Sequence, residues 1–257
     1  MKNKEHLAGI KNYYNKSTQA WIDSYRRTQS FRFHQFLEEH DNILKSKIFK
    51  QGSVYLDAGC GDFSFSIKMA KQNKKIQIHG VTISDKQIKL AKLKCAKNSF
   101  ITLQNFEKLN FPDNTFDGCY FLESFSHSLN KDKACKEIRR VVKPGGYLYI
   151  LDLNTQDKVR KDKTYWGWYN IFYYLPISYY QSLKLFKQYF TIQESSTNLR
   201  NYRKDLYKRL RSNVNFNNCE CTYTDNKSVT DYGVYHSDQA KFNLPVVWSE
   251  FIMVNNK

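Results

Sequence analysis

Acidic residues are scarce in this chain. Twenty-four Asp and Glu face 41 Lys and Arg, a net charge of +17. Such a surplus steers anions toward the protein, whether nucleic acid, phosphorylated metabolites or an anionic membrane. Cysteines are few and unpaired. Cys60, Cys95, Cys119, Cys135, Cys219 and Cys221 form no C-x-x-C module, and Cys219 and Cys221 have poor zinc spacing. Neither a metal site nor a dense disulfide framework is expected, and a reducing cytoplasmic setting fits. The residues from Met1 to His6 lack an apolar core, so no signal peptide is expected. Long apolar runs are missing as well. The one long uncharged stretch, Thr164 to Leu183, carries Asn170, Pro176, Ser178, Gln181 and six Tyr, which argues against a membrane span. Aromatic density of that kind suits a half-wet surface, either a lid over a ligand or a peripheral membrane contact. No repeat of fixed period and no low-complexity linker appears, so a second independent domain has no support.

What is present is a globular composition, with 41% hydrophobic and 25% charged residues. Residues 1–50 carry helical spacings, as in Ile10, Tyr13 and Tyr14 and then Phe33, Phe36 and Leu37. The short apolar run Val54-Tyr55-Leu56 then meets the glycine turn Asp57-Ala58-Gly59-Cys60-Gly61, and Phe65, Ile67, Met69 and Ala70 continue as a helix. The alternation repeats with strands at Ile76 to Val81, Ile101 to Gln104, Phe116 to Leu122 and Tyr147 to Asp152. Helices are expected at Lys86 to Lys97 and Lys131 to Val142, the second stopped by Pro144-Gly145-Gly146. This order predicts a parallel sheet covered on both faces. Beyond it, Phe190 to Ser196 and Val247 to Val254 read as strands that would close the sheet as an antiparallel hairpin. Leu199 to Arg211 reads as a basic amphipathic helix.

A glycine turn between strand and helix lets backbone N–H groups approach a nucleotide-like ligand at the positive end of the helix dipole. The dinucleotide fingerprint needs a third glycine at position 64, where Ser64 stands, so a nicotinamide or flavin dinucleotide is disfavoured.

Asp57-Ala58-Gly59-Cys60-Gly61 resembles the acid-x-Gly-x-Gly motif of class I S-adenosylmethionine-dependent methyltransferases. Gly80-Val81-Thr82-Ile83-Ser84-Asp85-Lys86-Gln87 resembles the second motif of their sterol and cyclopropane-fatty-acid branches. Gln104-Asn105-Phe106-Glu107, Glu123-Ser124-Phe125-Ser126-His127 and Val142-Lys143-Pro144-Gly145-Gly146 resemble later family segments in order. Upstream, Tyr13-Tyr14-Asn15 and Ser30-Phe31-Arg32-Phe33 resemble openings of the sterol-type enzymes. The resemblance implies an α/β, Rossmann-like class I fold, with a seven-stranded, mostly parallel sheet bearing one antiparallel strand, N-terminal helices and a helical lid insertion. It also implies a single domain over 1–257: a helical cap (1–50), a cofactor-binding core (51–153), an aromatic lid (154–189) and a C-terminal part with the basic helix (190–257).

Its implied cofactor, S-adenosyl-L-methionine, would contact Tyr14, Asp57, Gly59, Gly61, Thr82, Ser84, Gln87, Asn105 and Phe106. Glu123 and His127 are the candidate acid/base groups. Arg32, Tyr165, Trp166, Tyr169 and Tyr173 are candidates for the substrate. An aromatic segment beside an acid/base pair fits C-methylation, which makes a carbocation that needs aromatic faces and then a base. The expected acceptor is an isoprenoid, and the basic surplus hints at a prenyl diphosphate. The alternative is N- or O-methylation of a small natural product or lipid headgroup. Nucleic acid is not an expected partner, because neither an appended RNA module nor an Asn/Asp-Pro-Pro-aromatic motif is found.

Overall fold

A computed structural model describes residues 3–27, 49–155, 173–197, 222–223, 227–228 and 246–257. Its elements are α1 (Asn3–Arg27), β1 (Val54–Ala58), α2 (Ser64–Gln72), β2 (Gln77–Thr82), α3 (Asp85–Lys92), β3 (Ser99–Leu103), β4 (Phe116–Leu122), α4 (Lys131–Val141), β5 (Val142–Thr155), α5 (Tyr179–Phe186), β6 (Thr191–Thr197), β7 (Thr222–Tyr223), β8 (Lys227–Ser228) and β9 (Val246–Val254). A single 3₁₀ turn, Phe125–His127, follows β4.

Seven strands form one sheet in the order β3-β2-β1-β4-β5-β9-β6. The pairs from β3 to β5 are parallel, and β9 lies antiparallel between β5 and β6. The expected sheet with one antiparallel strand is thus present. The β7–β8 pair was not foreseen. Side chains alternate along β5, with Leu148 and Ile150 joining the core under α4 and α5 and Tyr149 and Leu151 joining the core on the opposite face. Both faces of the sheet are therefore apolar, as parallel strands require.

Helix starts follow capping chemistry. Ser84 accepts from the Gln87 N–H at α3, Asn130 from the Lys133 N–H at α4, and Ser178 with Gln181 forms a full capping box at α5. α2 differs: it opens from Phe63 in the left-handed region (φ 63°) with no side-chain cap.

Two expectations need correction. α3 ends at Lys92 rather than Lys97. α4 ends at Val141, and the chain is already extended at Val142, ahead of Pro144-Gly145-Gly146. The glycines serve pairing instead: the Gly145 N–H donates to Asn255 O (2.7 Å), and the Asn255 N–H donates to Gly146 O (2.9 Å). A Cβ on Gly146 would sit 2.8 Å from Asp117 O, so the close approach requires glycine. The helix expected at Leu199 to Arg211, residues 28–48 and residues 156–172 of the aromatic segment lie outside the described residues.

Candidate active site

The parallel strands end together at one rim, and the glycine turn after β1 sits at its centre, with the β2 and β4 loops on either side. Gly59 and Cys60 donate their N–H groups to Val81 O, both at 3.0 Å, which pins the turn to β2. Among the described residues nothing accepts the Gly61 N–H. That donor and the uncapped start of α2 leave polar hydrogens open toward a ligand.

The candidate cofactor residues converge here. A Cβ on Gly61 would lie 3.9 Å from the Gln87 Nε2, and one on Gly59 would lie 3.5 Å from Phe106 Cε1. Gln87 Oε1 accepts from the Thr82 hydroxyl, so its amide nitrogen remains as a donor facing the Gly61 turn. Asn105 Oδ1 accepts from the Glu107 N–H (2.9 Å), which fixes the adjacent Phe106 ring. Ser84 is spent on structure: its hydroxyl caps α3 and donates to Asn15 Oδ1 at 2.7 Å. Asp57 lies behind the turn, 3% exposed, with one carboxylate oxygen accepting from the Ser66 hydroxyl. Burial pushes its pKa up to about 7 against that hydrogen bond. Replacing the Gln87 donor, as in Gln87→Leu, is expected to weaken S-adenosylhomocysteine binding about tenfold in calorimetry.

Contacts made by α1 define the other wall. Asn15 Oδ1 also accepts from the Lys86 N–H (3.1 Å), and Lys11 pairs with Asp85 (2.7 Å). Tyr14, one residue earlier, bonds His127 Nε2 at 2.6 Å. α1 therefore bridges the β2 loop and the β4 loop across the glycine turn. His6 reinforces the bridge by donating from Nε2 to His127 O (2.8 Å), and Gly9 leaves room for the Tyr173 ring, 2.2 Å from where a Cβ would stand.

The hydrogen bonds fix the His127 tautomer. Its Nδ1 faces the Tyr173 carbonyl (3.3 Å), which can only accept, so Nδ1 carries the proton. Nε2 is then bare, and the Tyr14 hydroxyl donates to it. Burial pushes the His127 pKa down to about 3 against the hydrogen bond to the Tyr173 carbonyl, and nearby Lys131 adds to the effect. The ring is neutral and stacks on Tyr174, centroids 4.4 Å apart.

Glu123 closes β4 in the left-handed region, φ 58°. Its backbone carbonyl accepts from the Tyr174 hydroxyl (3.4 Å), while its carboxylate has no hydrogen-bond partner among the described residues. Burial, with Asp152 nearby, pushes its pKa up to about 8. Asp152 is itself held by the Ser126 N–H and hydroxyl, at 2.8 and 2.6 Å. A folded-state value above the ordinary 4.5 means that folding favours the neutral acid. This stabilisation is complete below pH 4.5 and is lost as pH rises toward 8. Glu123→Gln cannot ionise. It should gain on the wild type between pH 5 and 8 by roughly 2 kcal/mol in urea unfolding, since the half-buried side chain keeps part of its hydration.

Sequence reasoning did not find four polar partners. His6, Glu107, Lys131 and Asp152 surround the loop after β4, with Lys131 donating to Ser128 O (2.9 Å) and Glu107 accepting from the Ser128 hydroxyl (2.7 Å). The one signal for them was position, Asp152 at a strand end and Glu107 beside Phe106. Tyr165, Trp166, Tyr169 and Arg32 lie outside the described residues. Among the described residues no group of three His, Cys, Asp or Glu could hold a metal, and no helix is long and apolar enough to cross a membrane.

Residues 56–150 match the family described as Methyltransferase domain. Over 118 residues the chain is 36% identical to 24-methylenesterol C-methyltransferase 3 of Arabidopsis thaliana, covering 44% of this chain and 33% of that protein. The chain spans between a third and a half of the length of the curated relatives it matches. Among solved structures, the geranyl diphosphate C-methyltransferase of Streptomyces coelicolor has a TM-score of 0.66 at 14% identity, covering 86% of this chain and 80% of that one. The phosphoethanolamine N-methyltransferase 2 of Haemonchus contortus, in complex with S-adenosyl-L-methionine, has a TM-score of 0.67 at 18% identity, covering 84% and 51%. At such identities the likeness is one of fold.

The strand order, the glycine turn and the family match together define a class I S-adenosylmethionine-dependent methyltransferase domain. Over part of its length the chain is similar to the sterol C-methyltransferases. The domain's cofactor is S-adenosylmethionine, and the open Gly61 N–H, the Gln87 amide and the Phe106 ring fit its adenosyl part.

Proposed function

We propose that this chain is a small-molecule methyltransferase that methylates a carbon atom of an isoprenoid. The observation that carries the reading is Glu123, a strained, desolvated carboxyl with no protein hydrogen bond among the described residues, at the strand end beside the glycine turn. A side chain kept free in that way suits a group whose proton partner is the substrate.

Gly61, Gln87, Asn105 and Phe106 would hold the cofactor, which supplies a methyl group on a cationic sulfur. The remaining work is done by the chain. α1 and the β4 loop hold an alkene carbon in line and keep water out. As the alkene pair forms the new C–C bond, the methyl–sulfur bond would break with its pair left on sulfur and the adjacent carbon become cationic, with Tyr14 and Tyr174 packed against His127 in the loop beside it. Glu123 then takes the proton from the neighbouring carbon, and that C–H pair restores the alkene. The cation beside Glu123 favours its ionised form, against the burial that raises its pKa.

Arg32 and the basic residues from Arg200 to Arg211 remain the proposed clamp for a diphosphate. Lys131 does not serve, since its ammonium is spent on the carbonyls of Ser126 and Ser128. A cytoplasmic setting belongs to the same reading, in keeping with the free thiols Cys60, Cys95, Cys119 and Cys135.

One observation favours N- or O-methylation instead. Tyr14 donates to a bare His127 Nε2 at 2.6 Å, a geometry in which the phenol could relay a proton from an amine or hydroxyl to the ring, against the burial that keeps the ring neutral. Incubation with labelled cofactor and a panel of prenyl diphosphates, sterols, phenols and amines separates the two. Label in prenyl or sterol carbon supports the proposal, and label confined to amines or phenols overturns it.

A further inference from the structure

Residues 64–99 hold nine lysines against a single acid, Asp85, and no Arg, Tyr or Trp. The fold gathers them. The crossovers β1–α2–β2 and β2–α3–β3 step in the same direction along the sheet, so right-handed connection puts α2 and α3 on one face. Asn98 then ties their far ends together, its amide donating to Ala70 O (3.0 Å), Asn73 O (3.1 Å) and Ile76 O (2.7 Å). Lys71, Lys74, Lys75, Lys92 and Lys97 consequently share the rim opposite the cofactor. In their midst Leu93 is 84% exposed, the most exposed of the large hydrophobics among the described residues.

Lysines at helix ends complement the helix dipole, which accounts for Lys71 and Lys92. It does not account for Lys74, Lys75 and Lys97, which lie beyond the last turns. Nor does the rest of this rim look the same. Under α4 two cations are matched by acids, Arg140 by Glu137 and Asp113 and Lys143 by Asp117. Lys94 instead reaches back toward Asp62, beside the glycine turn, at 3.9 Å. Lys71, Lys74, Lys92 and Lys97 are exposed and pair with no acid among the described residues.

We propose that this rim docks on an anionic lipid surface. Lysine ammoniums offer charge without the forked geometry that reads nucleic-acid bases, and the nearest exposed aromatic ring, Phe100, is already stacked on His79. A leucine projecting among lysines matches an interface where the charges meet headgroups and the apolar side chain enters the acyl boundary. The cofactor end of the sheet then faces the aqueous phase. The surface does not depend on the identity of the methyl acceptor.

Co-sedimentation of the full chain with phosphatidylcholine vesicles, and with vesicles containing about 30% phosphatidylserine, tests the proposal. Binding is expected only to the second and to weaken with salt. Reversal of four charges (Lys71→Glu, Lys74→Glu, Lys92→Glu, Lys97→Glu) should lower that binding at least about tenfold, and Leu93→Ser roughly threefold. Affinity for S-adenosylhomocysteine should be unchanged in both, which also shows that they fold. The same four reversals on the opposite face, at Lys108, Lys133, Lys184 and Lys187, should leave most of the binding. Equal loss with that control would mean diffuse net charge and overturn the proposal. So would retention of polyuridylic acid that depends on the rim lysines while anionic vesicles are not bound.

Discussion

Glu123→Gln is expected to lower kcat by about 10² to 10⁴, with the KM for the cofactor changed less than about threefold. The substitution keeps the shape of the side chain and removes its capacity to accept a proton. Because burial holds the carboxyl near pH 8 in the resting protein, the wild-type kcat/KM should rise with pH toward that value, and the variant should lack the rise. Tyr14→Phe and His127→Ala provide the contrast. In carbon methylation they remove a positioning bond and should cost no more than about tenfold in kcat. In methylation of nitrogen or oxygen they remove the base, and the order of severity reverses. Steady-state kinetics of the three variants on the accepted substrate checks this. A Glu123→Gln enzyme within about fivefold of wild type would remove Glu123 from the chemistry.

Gly59→Ala should abolish cofactor binding in calorimetry, while Gly61→Ala should weaken it only about tenfold. Both glycines have positive φ, +80° and +55°, so an alanine at either costs about 1–2 kcal/mol of backbone strain. Their surroundings separate them. A Cβ at Gly59 would stand 2.5 Å from the Ser124 Cβ, and Ser124 cannot yield freely because its hydroxyl donates to Ala58 O at 2.6 Å. Moving it would disturb the start of the loop that carries His127. At Gly61 the nearest atom is the Gln87 amide at 3.9 Å, and only the strain applies. Equal losses at the two positions would mean that backbone conformation alone decides the site. Thermal melting of both variants separates loss of the site from loss of the fold.

The sheet was readable because hydrophobic periodicity and glycine punctuation are local signals. Val54 to Ala58 and Phe116 to Leu122 appear as apolar runs of strand length, and each ends where a polar or glycine residue must turn the chain. The errors fell where a distant partner decides. Pro144-Gly145-Gly146 looks like a helix stop, but Asn255, more than a hundred residues away, captures it into strand pairing. The site divides in the same way. Asp57, Gly59, Gly61, Gln87 and Phe106 meet because their motif spacings encode one strand–turn–helix rim. The His127 tautomer could not be read, because it depends on Tyr14 and on the Tyr173 carbonyl, from two other parts of the chain. His6 carried no signal at all, since a histidine near a terminus looks the same buried or solvated.

Adjacent residues of one helix grip the two sides of the cleft, Tyr14 at the β4 loop and Asn15 at the β2 loop. On the proposed function, departure of spent cofactor and methylated product is expected to require that one of these grips opens. Turnover is then expected to be paced by departure rather than by bond making. Mixing protein with both reactants should give a rapid burst of about one methylation per molecule before the steady rate begins, and Asn15→Ala should shrink that burst while quickening the steady rate.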